Sequence, residues 1–276
     1  MDRKPAVAGV FYTGNRNDLA SQIDGFLGRA KAAWPLTRKA VAYVAPHAGY
    51  FYSGATAAYA YKSISMNSGL KDVDTFVVIG PNHTGMGRPV SVSATDWITP
   101  LGKVANDKEM SMEIVAQSGI AEIDEQAHRK EHSVEVQLPF LQRVVKKPAC
   151  CFVCMGDQSM DSCTDISGAV LKSTKRLGRN TVVIASSDFN HYESAEVAME
   201  KDMPAIKALN DMNPELFHRK IEELGDSACG FGPVTVAALF AMANGAEMGN
   251  LLKYSNSGEV TGDYGSVVAY ASMAFW

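Results

Sequence analysis

Three histidines follow directly on apolar runs. Val41-Ala42-Tyr43-Val44 leads into Ala45-Pro46-His47-Ala48-Gly49-Tyr50, Thr75-Phe76-Val77-Val78-Ile79-Gly80 into Pro81-Asn82-His83, and Thr181-Val182-Val183-Ile184-Ala185 into Ser186-Ser187-Asp188-Phe189-Asn190-His191. Imidazole is the first metal ligand to consider at neutral pH, and a thiolate beside it selects iron, copper or zinc over magnesium or calcium. Cys229 lies in a comparable setting, the glycine-bearing turn Ala228-Cys229-Gly230-Phe231-Gly232-Pro233 at the mouth of an apolar helix, where amide dipoles favour thiolate. His47, His83 and Cys229 together would leave coordination positions open, as catalysis requires and structural zinc lacks. Taken singly, each histidine reads equally well as a satisfied, hydrogen-bonded imidazole, and a free cysteine as core filling.

Other groups carry two readings as well. Asp188 and His191 lie three apart, so the carboxylate could accept from one imidazole nitrogen and leave the other facing a substrate, a general acid/base arrangement. The alternative is a capped turn with His191 exposed. His132 and Glu135, on one turn, read as groups backing the pocket or as a surface pair. Cys150, Cys151 and Cys154 occupy an apolar strand whose neighbours face opposite sides, and no second Cys-x-x-Cys completes a zinc knuckle, so they are assigned to the core. His128, beside Arg129 and Lys130, and His218, beside Phe217, read as solvated.

These groups need a scaffold that brings distant strand ends together. The runs ending at residues 44, 80 and 185, with Cys150 to Met155, read as buried strands. Helical patterns follow at Asn17 to Ala30, Ser53 to Tyr61, Asn106 (a candidate cap) to Gln117, Asp165 to Leu177, Ala195 to Leu209, Pro214 to Leu224 and Val234 to Met242. Pro89 to Ser93, Leu251 to Tyr254 and Ser266 to Ala271 read as further strands, and Val7 to Tyr12 as a short strand or an extended arm. Strands alternating with helices imply a layered α/β domain with a largely parallel or mixed central sheet. In such sheets ligands collect beyond the carboxyl ends of the strands.

The chain has 276 residues, 46% of them hydrophobic, enough for a substantial core, and no linker or repeat divides it. A formal net charge of -4 without a Lys/Arg block excludes the electrostatic footprint of a nucleic-acid binder. No apolar run approaches the ~20 residues of a membrane span, and the five cysteines do not form an extracellular framework, so a cytoplasmic protein with reduced thiols is expected. The glycines around His83 match no nucleotide-binding fingerprint, and no nucleotide cofactor is expected.

In their order along the chain, Ala45-Pro46-His47-Ala48-Gly49-Tyr50 with Tyr52-Ser53-Gly54, Gly80-Pro81-Asn82-His83, Glu131-His132-Ser133-Val134-Glu135, Ser186 to His191 and Cys229-Gly230 resemble the Memo family. That family, which includes the AmmeMemoRadiSam system protein B, is related to the LigB-type class III extradiol dioxygenases. The resemblance runs from Val7-Ala8-Gly9-Val10-Phe11-Tyr12 to the last strands. It implies one three-layer LigB-like domain over residues 1–276. His47 and His83 would take the places of the two histidines that, with a glutamate, hold non-haem iron(II) in the dioxygenases. Cys229 matches the cysteine that Memo-type proteins carry at the carboxylate position. His191 would be the acid/base histidine with Asp188 beside it, and Tyr50, Asn82, His132 and Glu135 would line or support the pocket.

The function so implied is that of a metal-dependent redox protein with iron(II) or copper, zinc being the weaker fit, and a small molecule or peptide in the pocket. Because thiolate replaces carboxylate, ring cleavage does not carry over. Association with AMMECR-type and radical-SAM proteins is a further implication of the resemblance. Two rival readings use the same pocket: a non-catalytic peptide- or protein-binding module, and a zinc hydrolase.

Overall fold

A computed structural model describes residues 2–31, 39–67 and 72–276. Four strands form the centre of the sheet: β1 (Ala42–Ala45), β2 (Thr75–Pro81), β7 (Ala149–Met155) and β8 (Thr181–Ser186). All are parallel, in the order β1-β8-β2-β7. Their continuous apolar runs are what strands covered on both faces require. β3 (Val90–Ser93) pairs antiparallel with β7, and β6 (Ala121–Ile123) lies outside it. On the other flank β11 (Val267–Phe275) runs antiparallel between β1 and β10 (Gly249–Asn256).

The two-residue period of the strands divides the core. Tyr43, Phe76, Val78, Cys150, Phe152, Val182 and Ile184 pack with α1 (Arg16–Arg29), α2 (Tyr50–Met66) and α5 (Gln137–Val144). Ala42, Val44, Val77, Ile79, Cys151, Val153, Val183 and Ala185 pack with α3 (Lys108–Gln117), α6 (Met160–Leu177), α7 (Ala195–Asn210), α8 (Pro214–Leu224) and α9 (Phe231–Ala243). Adjacent Cys150 and Cys151 therefore serve opposite cores, as their alternation implies. α2 can lie close to α1 because Gly54 admits the Phe26 ring where a Cβ would collide with it. α9 is apolar on every side and almost wholly buried, which fits a helix enclosed by its neighbours.

Several local expectations are corrected. The cap of α3 is Asp107, whose carboxylate accepts from Met110 N at 3.0 Å, while Asn106 ends β5 (Gly102–Asn106) and donates to Ser93 O. α6 begins at Met160 behind a Ser159 cap, several residues before Asp165. β4 (Trp97–Thr99), which forms a hairpin with β5, and β6 are too short to carry a periodic signal. Residues 7–12 form the arm, not a strand: a turn closed by Gly9 N donating to Tyr12 O. His128 ends the short helix α4 (Glu125–His128) and is completely buried with its ring against Trp97, and neither ring nitrogen reaches a partner in good geometry. His218 is also buried, its Nε2 2.9 Å from Gln158 O. Both look solvated in the sequence, His128 from its neighbours Arg129 and Lys130 and His218 from its place in a helix near Phe217, but the packing of α4 on the sheet and of α8 on α9 encloses them.

Among the described residues, no helix is long and apolar enough to cross a membrane. All five cysteines are free thiols.

Candidate metal centre

Because β1, β8 and β2 are adjacent and parallel, their carboxyl ends open on the same edge. His47 follows β1, His83 follows β2 and Asp188 follows β8. Cys229 reaches the same place from the turn ahead of α9. Its N–H donates to Asp188 O at 3.2 Å, and Gln158, just beyond β7, donates from Nε2 to Cys229 O at 2.9 Å. Gly230 is required by close approach, because a Cβ there would run into Ser186 O and the Ser187 side chain. The segments leaving β7 and β8 thus place the thiol.

Cys229 Sγ lies 3.1 Å from His47 Nε2, and the donor atoms of His47, His83 and Cys229 lie within 4.8 Å of one another. Donors ~2.0–2.3 Å from a shared ion stand roughly 3.3–4 Å apart, so modest adjustment closes the set.

The nitrogens turned away from this cluster are committed. Ser186 Oγ donates to Ser133 O at 2.7 Å and accepts from Gln137 Nε2 at 2.7 Å, which leaves a lone pair for the N–H of His47 Nδ1 at 2.8 Å. His47 Nε2 therefore presents its lone pair. Burial, with the nearby His132 and His83, holds the His47 imidazole well below its ordinary range, so it is neutral at pH 7. His83 Nδ1 lies 2.9 Å from Glu131 Oε1, leaving its Nε2 free. Histidines that bind metals characteristically give their second nitrogen to such a partner. Burial and then the charge of Asp188 push the Cys229 thiol up, outweighing the helix-dipole effect expected at this turn, so a cation is what would favour thiolate. By donor type, spacing and tautomer, the three residues fit iron(II), copper or zinc.

Glu131, almost completely buried, is the group that residue-by-residue reading missed. Its carboxylate accepts from His83 N at 2.5 Å, from His132 N at 2.8 Å and from Ser133 N at 2.9 Å besides the His83 ring. Burial opposes its ionisation, but the His83 contact and these amides hold it well below the usual carboxylate range. The signal available in the sequence was an acid placed just before His132-Ser133, able to accept their amides. Ser186 and Gln158 were missed for a different reason: their partners lie far along the chain.

The remaining expected residues divide. His132 and His191 line a cavity of about 600 Å³ above the cluster, with Asp188, Phe11, Tyr52 and Tyr270 among its walls. His132 stacks on His83 with centroids 4.5 Å apart, and burial lowers its pKa to about 4. Burial also lowers that of His191, whose Nδ1 has no partner in good geometry. Asp188 is not paired with the His191 ring; its Oδ1 accepts from His47 N at 2.8 Å and Ala48 N at 3.3 Å, fixing the turn after β1. Burial raises its pKa to about 6 against those two bonds. Tyr50 is buried behind the site and donates to Val136 O at 2.8 Å. Asn82 ties the turn carrying His83 by accepting from Thr84 N and Gly85 N. Glu135 faces away from the cavity and binds Arg3, Tyr12 and the amides of Ala6 and Val7.

An open α/β sheet with two imidazoles and a thiol gathered beyond its parallel strands defines a class of candidate metal-binding proteins. A family model described as Memo-like protein matches residues 3–274. MEMO1 family proteins of Methanocaldococcus jannaschii and Methanopyrus kandleri are each 40% identical to the chain, covering 98% and 100% of it and 97% and 99% of their own lengths. A MEMO1 family protein of Nitrosopumilus maritimus is 38% identical over the whole of both chains. The chain belongs to the Memo family.

Proposed function

We propose that this Memo-family protein is a metal-dependent redox protein, with His47 Nε2, His83 Nε2 and Cys229 Sγ as ligands to iron(II) or copper. The observation that carries the reading is the convergence of these donors with both imidazoles committed elsewhere through Nδ1. Bound there, iron or copper would supply one-electron redox chemistry, and thiolate would move the set toward softer, more electron-rich ligation than a carboxylate. The chain's own contributions are distinct. Ser186 and Glu131 hold the imidazoles, Asp188 fixes the turn bearing His47, and the cavity above admits a small molecule. His191, a neutral base at pH 7 on the cavity wall, accepts or returns a proton from a ligand held there.

Anaerobic iron(II) and copper titrations of the wild type and Cys229→Ala test the assignment. A large loss of affinity in the variant supports it, and equal affinity removes the thiol from the site. Element analysis of protein purified without added metal separates the redox reading from a zinc hydrolase.

A second reading, a peptide- or protein-binding module, is favoured by the apolar rim of the cavity, where Val10, Tyr52 and Tyr192 are exposed. Partner capture that survives both His191→Ala and metal removal would support it over turnover.

A further inference from the structure

The arm before α1 carries a buried cation that the centre described above does not use. Arg3 is 8% exposed, and its guanidinium stacks 3.9 Å above the centroid of Trp97. Besides a 3.3 Å contact from Nη1 to Lys4 O within the arm, its donors reach the end of α4 and the loop that follows it. Nε donates to His128 O at 2.7 Å, Nη2 to Glu131 O at 2.6 Å and Nη1 to Glu135 Oε2 at 2.6 Å. The backbone is pinned as well, with Arg3 N donating to Asp96 O and Ile98 N donating to Arg3 O, both at 2.8 Å. A rigid fork bonded to a chain at three points fixes its path in a way a lysine ammonium does not reproduce.

The carbonyl of Glu131 is therefore held from one side by Arg3, while its carboxylate holds both the backbone N–H and the ring Nδ1 of His83. The loop's own backbone bonds lie at its two ends, Arg129 N to Gln126 O and Val136 N to His132 O, and none of them holds the Glu131 carbonyl. From that chain of contacts we infer that Arg3 is a positioning residue for the donor His83: by fixing Glu131 it selects the Nδ1–H tautomer and leaves Nε2 bare toward Cys229. The inference rests on the metal-centre reading for its purpose, but the coupling of Arg3 to the His83 tautomer is a property of the metal-free protein.

Two variants test it. Arg3→Lys keeps the charge and loses the fork. The double variant Arg3→Met with Glu135→Gln removes both members of the buried ion pair, so no uncompensated charge is left if the single variant fails to fold. The first readout is the pair of imidazole 15N shifts of His83 in the metal-free protein, which separates protonated Nδ1 from bare Nε2. The second is the affinity for Co2+ added alone. A buried-core variant elsewhere, Leu19→Ala in α1, supplies the comparison for general loss of stability.

The expected result is a single Nδ1–H tautomer in the wild type and a mixture in both Arg3 variants, with Co2+ affinity reduced about 10-fold, as for other groups that orient a ligand. Leu19→Ala should leave tautomer and affinity unchanged. An unaltered His83 tautomer in a folded Arg3 variant overturns the inference, as does an equal affinity loss in Leu19→Ala. Failure of the wild type to bind Co2+ would instead count against the metal centre, while the tautomer measurement would still decide the role of Arg3.

Discussion

Ser186 Oγ sits 2.8 Å from His47 Nδ1 while giving its own proton to Ser133 O. A serine at the end of one central strand therefore determines which nitrogen of a histidine beyond the neighbouring strand faces Cys229. Ser186→Ala removes the acceptor without touching the donor set. We expect metal affinity to fall roughly 10- to 100-fold, the usual consequence of losing a group that orients a ligating histidine. Competition against a chelator of known affinity measures the change, and affinity within twofold of wild type would show that His47 holds its tautomer without Ser186.

Gly230 is the tightest backbone approach beneath the site. Gly230→Ala should displace the Cys229 turn away from Ser186 O and Ser187, at a cost of about 1–3 kcal/mol, typical of forcing atoms into a packed interior. The loss should appear in denaturant unfolding of the metal-free protein, together with weaker metal binding. Unchanged stability would mean that the turn has room to relax.

His128 gives the fold an acid-sensitive point away from the cluster. Burial, with the charge of Arg3, lowers its pKa to about 4 from an ordinary 6.5, so between those values the unfolded chain binds a proton that the folded chain refuses. Its contribution is fully present above pH 6.5 and is lost as the pH falls toward 4. His128→Leu removes that dependence and leaves no ring nitrogen buried. Relative to its effect at pH 7.5, the substitution should gain about 2 kcal/mol at pH 5. Parallel unfolding curves at the two pH values would refute this.

The opposite slope comes from Asp202, buried with Asp226 and Tyr254. Burial and the neighbouring Asp226 carboxyl raise the pKa of Asp202 to about 9. Tyr254 donates to Asp202 Oδ2 at 2.6 Å, and two neighbouring buried carboxyls favour keeping a proton on one of them. The folded state then holds a proton the unfolded state has released, so this contribution is fully present below pH ~4 and is lost as the pH rises through about 9. Asp202→Asn should flatten that decline and raise Tm at pH 8.5 by about 2–4 °C, equivalent to ~1 kcal/mol. A lower Tm at that pH would show that the shared proton is dispensable.

The parallel strands were legible in the sequence because strands buried on both faces are written as unbroken apolar runs. The residues leaving them were legible because a histidine, cysteine or aspartate after such a run is chemically conspicuous. That reasoning placed His47, His83 and Asp188 at one edge of the sheet, whereas Cys229 was noticed from its glycine-bearing turn ahead of a helix and from the family resemblance. It failed where a partner is chosen across the fold. Asp188 was matched with His191 by sequence proximity, yet its carboxylate holds the turn of His47. His132 and Glu135 share a turn but face different surroundings, one the cavity and the other the arm. Arg3 drew no reading at all, because nothing in residues 2–5 announces the acceptors that His128, Glu131 and Glu135 supply far along the chain.

The cavity walls come from both extremes of the polypeptide: Val10 and Phe11 near its beginning, and Val267, Val268 and Tyr270 near its end. The strand bearing the latter inserts between β10 and β1. During synthesis, then, the imidazoles and the thiol all emerge while this side of the cleft is still missing. Until β11 docks beside β1, the donors stand without the wall that Val267, Val268 and Tyr270 supply.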